Sequence, residues 1–110
     1  MELFDKTCTP CRGGVAPLSP DEALRFAPNI PDWELPEGAT RLVRTFKFGN
    51  YAQALAFVTA ISAIAEAEGH HPDICFGWGY ATVTLWTHKI KGLHENDFVM
   101  AAKIDRAFTG

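Results

Sequence analysis

No run of apolar residues in this 110-residue chain approaches the length that crosses a bilayer. The opening residues, MELFDKTCTP, have neither the basic start nor the apolar stretch of an export signal, so the expected compartment is the cytoplasm. Basic clusters are missing too. Ten Lys and Arg against thirteen Asp and Glu give a net charge of -3, and the cations are scattered singly, which excludes an electrostatic footprint for nucleic acid. Cysteine is scarce and odd in number: three residues make no disulfide framework in a reducing compartment. Internal repeats and low-complexity tracts are absent. What is present, 47% hydrophobic and 21% charged residues, is the balance of a folded domain, and the length allows one modest core.

Residues 1–18 hold Cys8, Cys11, Gly13, Gly14 and two prolines, and read as an irregular, mobile, reduced arm ahead of a single domain over 19–110. Cys8-x-x-Cys11 has no second pair with which to complete a four-ligand zinc site, so no metal is expected. Ser19-Pro20-Asp21-Glu22 predicts a capped helix start, and Pro28 and Pro31 end that helix early. The stretch RLVRTFKF (41–48) predicts a strand. Asn50 then caps a helix over 51–67, with Phe57, Ile61 and Ile64 on one stripe and Gly69 as its stop. Residues 74–76 and 80–87 predict a hairpin around Gly77-Trp78-Gly79. Its alternation sends Ala81, Val83 and Leu85 one way and Thr82, Thr84, Trp86 and His88 the other. A last helix opens near His94 and runs through Ala101, Ile104 and Phe108.

The expected fold is α+β in the order α-β-β-α-β-β-α: a four-stranded antiparallel sheet with three helices packed on one face. Two open sheet edges, and Trp86 on the face without helices, predict self-association.

Residues 66–97 are hard to explain as scaffold, because Glu66, His70, His71, Pro72, Trp78, His88 and Asp97 fall there at fixed intervals. Histidine exchanges protons near neutral pH, so imidazoles flanked by carboxylates and a tryptophan have the composition of an acid/base site around a flat ligand. Each residue also has a plainer reading. His70 and His71 follow Gly69 and suit a helix C-terminus. Glu66 fits a solvated helix face; if the helix persists, it lies one turn before His70 and can orient that imidazole. Asp97 fits a cap of the final helix, Trp78 a hairpin aromatic, and Pro72 a brace that extends the backbone beyond the two histidines.

Taken together, Glu66-x-x-x-His70-His71-Pro72, five residues to Trp78, nine more to His88 and eight more to Asp97 resemble the signature of pterin-4a-carbinolamine dehydratases. The likeness extends over residues 19–108, through Pro31-Asp32-Trp33 and the Lys91-Gly92-Leu93 turn. The resemblance implies dehydration of a 4a-hydroxytetrahydropterin to a quinonoid dihydropterin, with no metal or organic cofactor. By the same resemblance His70 and His88 are the acid/base pair and His71 binds the pterin. Asp97 is the carboxylate near His88, while Glu66, Pro72 and Trp78 bind or orient the substrate. A homodimer or homotetramer and a functional link to phenylalanine hydroxylase are also implied. The alternative from another class is a non-catalytic interaction protein, since relatives serve as dimerisation cofactors. The complete set His70, His71 and His88 favours the enzyme.

Overall fold

The Ser19 side chain accepts from the Glu22 backbone N–H, and the Glu22 carboxylate accepts from the Ser19 N–H at 2.8 Å. This closes a capping box that starts α1 (Pro20–Phe26). Pro28 and Pro31 limit it, and the chain tightens into a 3-10 turn at Ala27–Asn29. The computed structural model describes residues 3–8, 16–36 and 38–109. Strand β1 (Leu42–Lys47) follows, then α2 (Tyr51–Glu68), β2 (Asp73–Gly77), β3 (Tyr80–Leu85) and α3 (Glu95–Thr109). Asn50 caps α2 by accepting from the Gln53 N–H at 2.8 Å.

The sheet is antiparallel in the order β1-β3-β2, so the described residues give three strands where four were expected. The fourth is a single bridge, in which Glu34 N donates to Val43 O at 2.7 Å and Val43 N donates to Glu34 O at 3.0 Å. Pairing cannot propagate because Pro36, two residues on, has no N–H to give.

Alternation sorts the sheet's faces as expected. Leu42, Phe46, Ala81, Val83 and Leu85 are buried under the helices, with the Phe46 ring 4.6 Å from Phe57 and 5.0 Å from Phe108. Burying a phenylalanine in this way contributes about 2–3 kcal/mol. Asp105 on α3 ties this layer together: Trp33 Nε1 and Arg44 Nη1 each donate to its Oδ1 at 2.7 Å. Burial pushes the Asp105 carboxyl above the ordinary range, against the pull of Trp33 and Arg44.

The described parts of the N-terminal arm pack against the domain. Leu3 is buried in the core, and Cys8 N donates to Glu68 Oε1 at 2.7 Å. Burial, and then the Glu68 carboxylate, push the Cys8 thiol from 9.0 up to about 12. Farther along, Leu18 N donates to Leu93 O at 2.8 Å, and a Cβ at Gly92 would fall 2.6 Å from Pro17 Cβ. Only glycine permits that approach. Cys11 lies outside the described residues. Among the described residues no group of three His, Cys, Asp or Glu side chains could hold a metal ion, and no helix is long and apolar enough to cross a membrane.

Candidate active site

The end of α2 decides where the first two histidines go. Gly69 takes the left-handed conformation (φ 67) and its N–H returns to Ala65 O, so the helix stops at Glu68. His70 therefore leaves the helix axis, and the one-turn spacing that would have let Glu66 hold His70 no longer applies. Glu66 instead meets the neighbour: its Oε2 is hydrogen-bonded to His71 Nε2 at the surface. His70 turns inward to α3, where its Nε2 lies 2.7 Å from Asp97 Oδ1. Asp97 thus partners His70, and its connection to His88 runs through Thr87, the residue before it.

Asp97 is fully buried and its charge is met on every side. Thr87 Oγ1 donates to Oδ2 at 2.8 Å, and His94 N donates to the same oxygen at 3.0 Å. A buried carboxylate costs several kcal/mol unless such donors are present. The expected capping role is thus fulfilled as well, since the His94 N–H precedes the first turn of α3. His94 Nδ1 in turn accepts from the Asn96 N–H at 3.0 Å, which fixes this ring out of the cluster.

His88 opens a 3-10 turn just beyond β3, on the sheet face without helices. Its ring centroid lies 4.2 Å from that of Trp86, and its Nε2 lies 3.9 Å from Asp73 Oδ2. Trp86 Nε1 donates to the same Asp73 oxygen at 3.3 Å. Asp73 and Trp86 line a cleft of about 640 Å³ together with Val43, Thr84, Arg41 and Lys91. Thr87 joins the two halves of the site: it holds the carboxylate that holds His70, and His88 is the next residue. An open aromatic and polar cleft thus lies beside His88, and the part-buried His70–Asp97 pair lies on the other side of Thr87.

A family model for pterin 4 alpha carbinolamine dehydratase matches residues 16–107. The chain belongs to this family. A Methylococcus capsulatus protein named "Putative pterin-4-alpha-carbinolamine dehydratase" is 56% identical over 103 residues, covering 94% of this chain and 90% of its own length. A Halorhodospira halophila protein of the same name is 53% identical over 105 residues, 96% of each chain. Among solved structures, a transcriptional coactivator/pterin dehydratase from Brucella melitensis superposes with a TM-score of 0.77 at 28% identity, over 83% of this chain and 97% of its own. A pterin dehydratase-like protein identified as a RuBisCO assembly factor in the alpha-carboxysome gives 0.60 at 34% identity, over 69% and 88%.

Of the seven signature residues in this member of the family, the fold groups His70, His71, Pro72, Glu66, Asp97 and His88 around the start of β2 and the end of β3. Trp78 is not among them. It stands 73% exposed in the two-residue turn between β2 and β3, at the opposite end of the hairpin from Asp73. Five residue steps along the chain separate the two, roughly 16 Å. Sequence reasoning overlooked Asp73 and Thr87. The first had a usable signal, because register places Asp73 opposite Thr84 on the face that carries Trp86. The second had none beyond its position before His88, since its partner is ten residues away on another element.

Proposed function

We propose that the protein is a 4a-hydroxytetrahydropterin dehydratase working by histidine acid/base chemistry and recycling the pterin of an aromatic amino acid hydroxylase. The reaction breaks the C4a–O bond of the carbinolamine, delivers a proton to the departing hydroxyl as water, and removes a proton from the adjacent ring nitrogen. Oxidation state does not change, so two groups that exchange protons near neutrality are sufficient and no metal or organic cofactor is invoked. His70 and His88 fill these roles, with His71, Glu66 and Pro72 binding or orienting the substrate. One observation carries the reading: His70, locked on buried Asp97, and His88, set against Trp86 beside an open cleft, are joined through Thr87. A flat bicyclic ring suits the Trp86 wall. The test is the ultraviolet absorbance of synthetic 4a-hydroxytetrahydropterin converting to the quinonoid product. Catalysis well above the buffer rate is expected, and a rate equal to buffer rejects the proposal.

A homo-oligomer forms part of this reading. Helix α2 is apolar around most of its circumference yet buries only Ala54, Phe57, Ile61 and Ala65, leaving Tyr51 and Leu55 exposed. The same face supports the second reading, an interaction protein, which the assembly-factor role of one structural relative also favours. Activity retained when Leu55→Glu breaks the oligomer would separate the two functions.

A further inference from the structure

The buried carboxylate of Asp97 has two oxygens with different duties. Thr87 Oγ1 and His94 N occupy Oδ2, and His70 Nε2 occupies Oδ1. A carboxylate only accepts hydrogen bonds, so the Thr87 hydroxyl must donate and His70 must carry hydrogen on Nε2. In the neutral imidazole that leaves Nδ1 as a bare lone pair. Thr87 is well placed to enforce this arrangement. It is itself buried, and its backbone is pinned by Thr87 N donating to Gly92 O at 2.8 Å and by Ile90 N donating to Thr87 O at 3.2 Å.

We infer that Thr87 is a positioning residue that, through Asp97, holds His70 with hydrogen on Nε2 and leaves Nδ1 as its working nitrogen. The dehydratase reading enters only in what Nδ1 acts on: there it makes His70 the proton acceptor and leaves His88, against Asp73, to donate. Without the Thr87 hydroxyl, Oδ2 keeps only the His94 N–H, and the Asp97 carboxylate and the His70 ring on it are held less firmly in orientation. A wrong tautomer at a comparable Asp–His pair is among the most damaging changes an acid/base site can suffer.

The experiment is ¹⁵N NMR of the imidazoles at a pH above their titration, on the full chain, alongside initial rates for wild type, Thr87→Val and Thr87→Ser. Wild-type His70 is expected to show the Nε2–H tautomer. Thr87→Val, which keeps the shape and removes the hydroxyl, should give a tautomer mixture and a kcat reduced about tenfold or more, with KM changed far less. Thr87→Ser should restore the wild-type spectrum and most of kcat. Three results overturn the inference: hydrogen on Nδ1 in the wild type, a Thr87→Val protein indistinguishable from wild type, or a Thr87→Ser protein as impaired as Thr87→Val. Should the valine variant not fold, the wild-type spectrum and the serine variant still decide. The spectra are read without substrate, so a wild type that shows the Nε2–H tautomer but no turnover would retire the dehydratase reading and leave Thr87's role intact.

Discussion

His70 and His71 are consecutive residues, each bonded to a carboxylate, and they sit in opposite environments. The side chains of His70 and Asp97 are 11% and 0% exposed, whereas those of His71 and Glu66 are 59% and 78% exposed. Solvent screens the second pair and leaves it worth about 0–1 kcal/mol. The first pair can exist only because Thr87 and His94 complete the hydrogen bonding of Asp97. The same two chemical groups therefore make a fixed, multiply hydrogen-bonded pair in one place and an adjustable surface contact in the other. His88 with Asp73 lies between these extremes, exposed like His71 but braced by the Trp86 ring.

The sharpest way to break this comparison is to truncate each carboxylate. Asp97→Ala should lower turnover by about 100-fold or more and cost about 2–3 kcal/mol of stability, because one buried and two part-buried donors lose their acceptor. Urea unfolding and initial rates measure the two effects, and a change under about 0.5 kcal/mol would contradict the buried network. His88→Ala should lose about as much rate while leaving stability within about 0.5 kcal/mol, since an exposed ring contributes little to folding. Glu66→Gln should do least at this site, less than about threefold in kcat/KM and within about 0.5 kcal/mol in stability.

The same contrast between buried and exposed governs the thiols. Cys8 is half-buried with its thiol pushed up to about 12, and Cys75 is exposed. Iodoacetamide at neutral pH should therefore label Cys75 well before Cys8, read by peptide mass spectrometry. Equal labelling would contradict the packing of residues 3–8. A thiol whose folded pKa exceeds its unfolded value contributes stability in full below the unfolded value of 9.0, and that contribution fades as pH climbs toward about 12. Cys8→Ala should accordingly flatten the alkaline end of the stability profile. A smaller effect is expected at Lys91, which takes the left-handed conformation (φ 53) that a side chain disfavours. Lys91→Gly should raise stability by up to about 1 kcal/mol.

Helices and strands were legible wherever a local device sets them: the Ser19 box, the Asn50 cap, the Gly69 stop and the alternation of residues 80–85. The fourth strand was not, because its failure turns on Pro36 denying one hydrogen bond to a neighbour distant in sequence. Within the site, the spacing marked His70, His71, His88 and Asp97 as belonging together. It could not pair them. Whether Asp97 meets His70 or His88 depends on how α3 docks against the end of α2, and Gly69 cancels the sequence-neighbour pairing of Glu66 with His70. The contacts of the arm's described residues were not legible for a similar reason: the burial of Leu3 and the Cys8–Glu68 bond are long-range.

The most direct test of the account compares the dehydration rates of wild type, His70→Ala and His71→Ala on synthetic 4a-hydroxytetrahydropterin under one set of conditions. The buried pair predicts a loss of about 100-fold or more for His70→Ala and a markedly smaller loss, expressed mainly in KM, for His71→Ala. A His70→Ala protein that turns over at the wild-type rate, or a His71→Ala protein that loses the greater share of kcat, would contradict it.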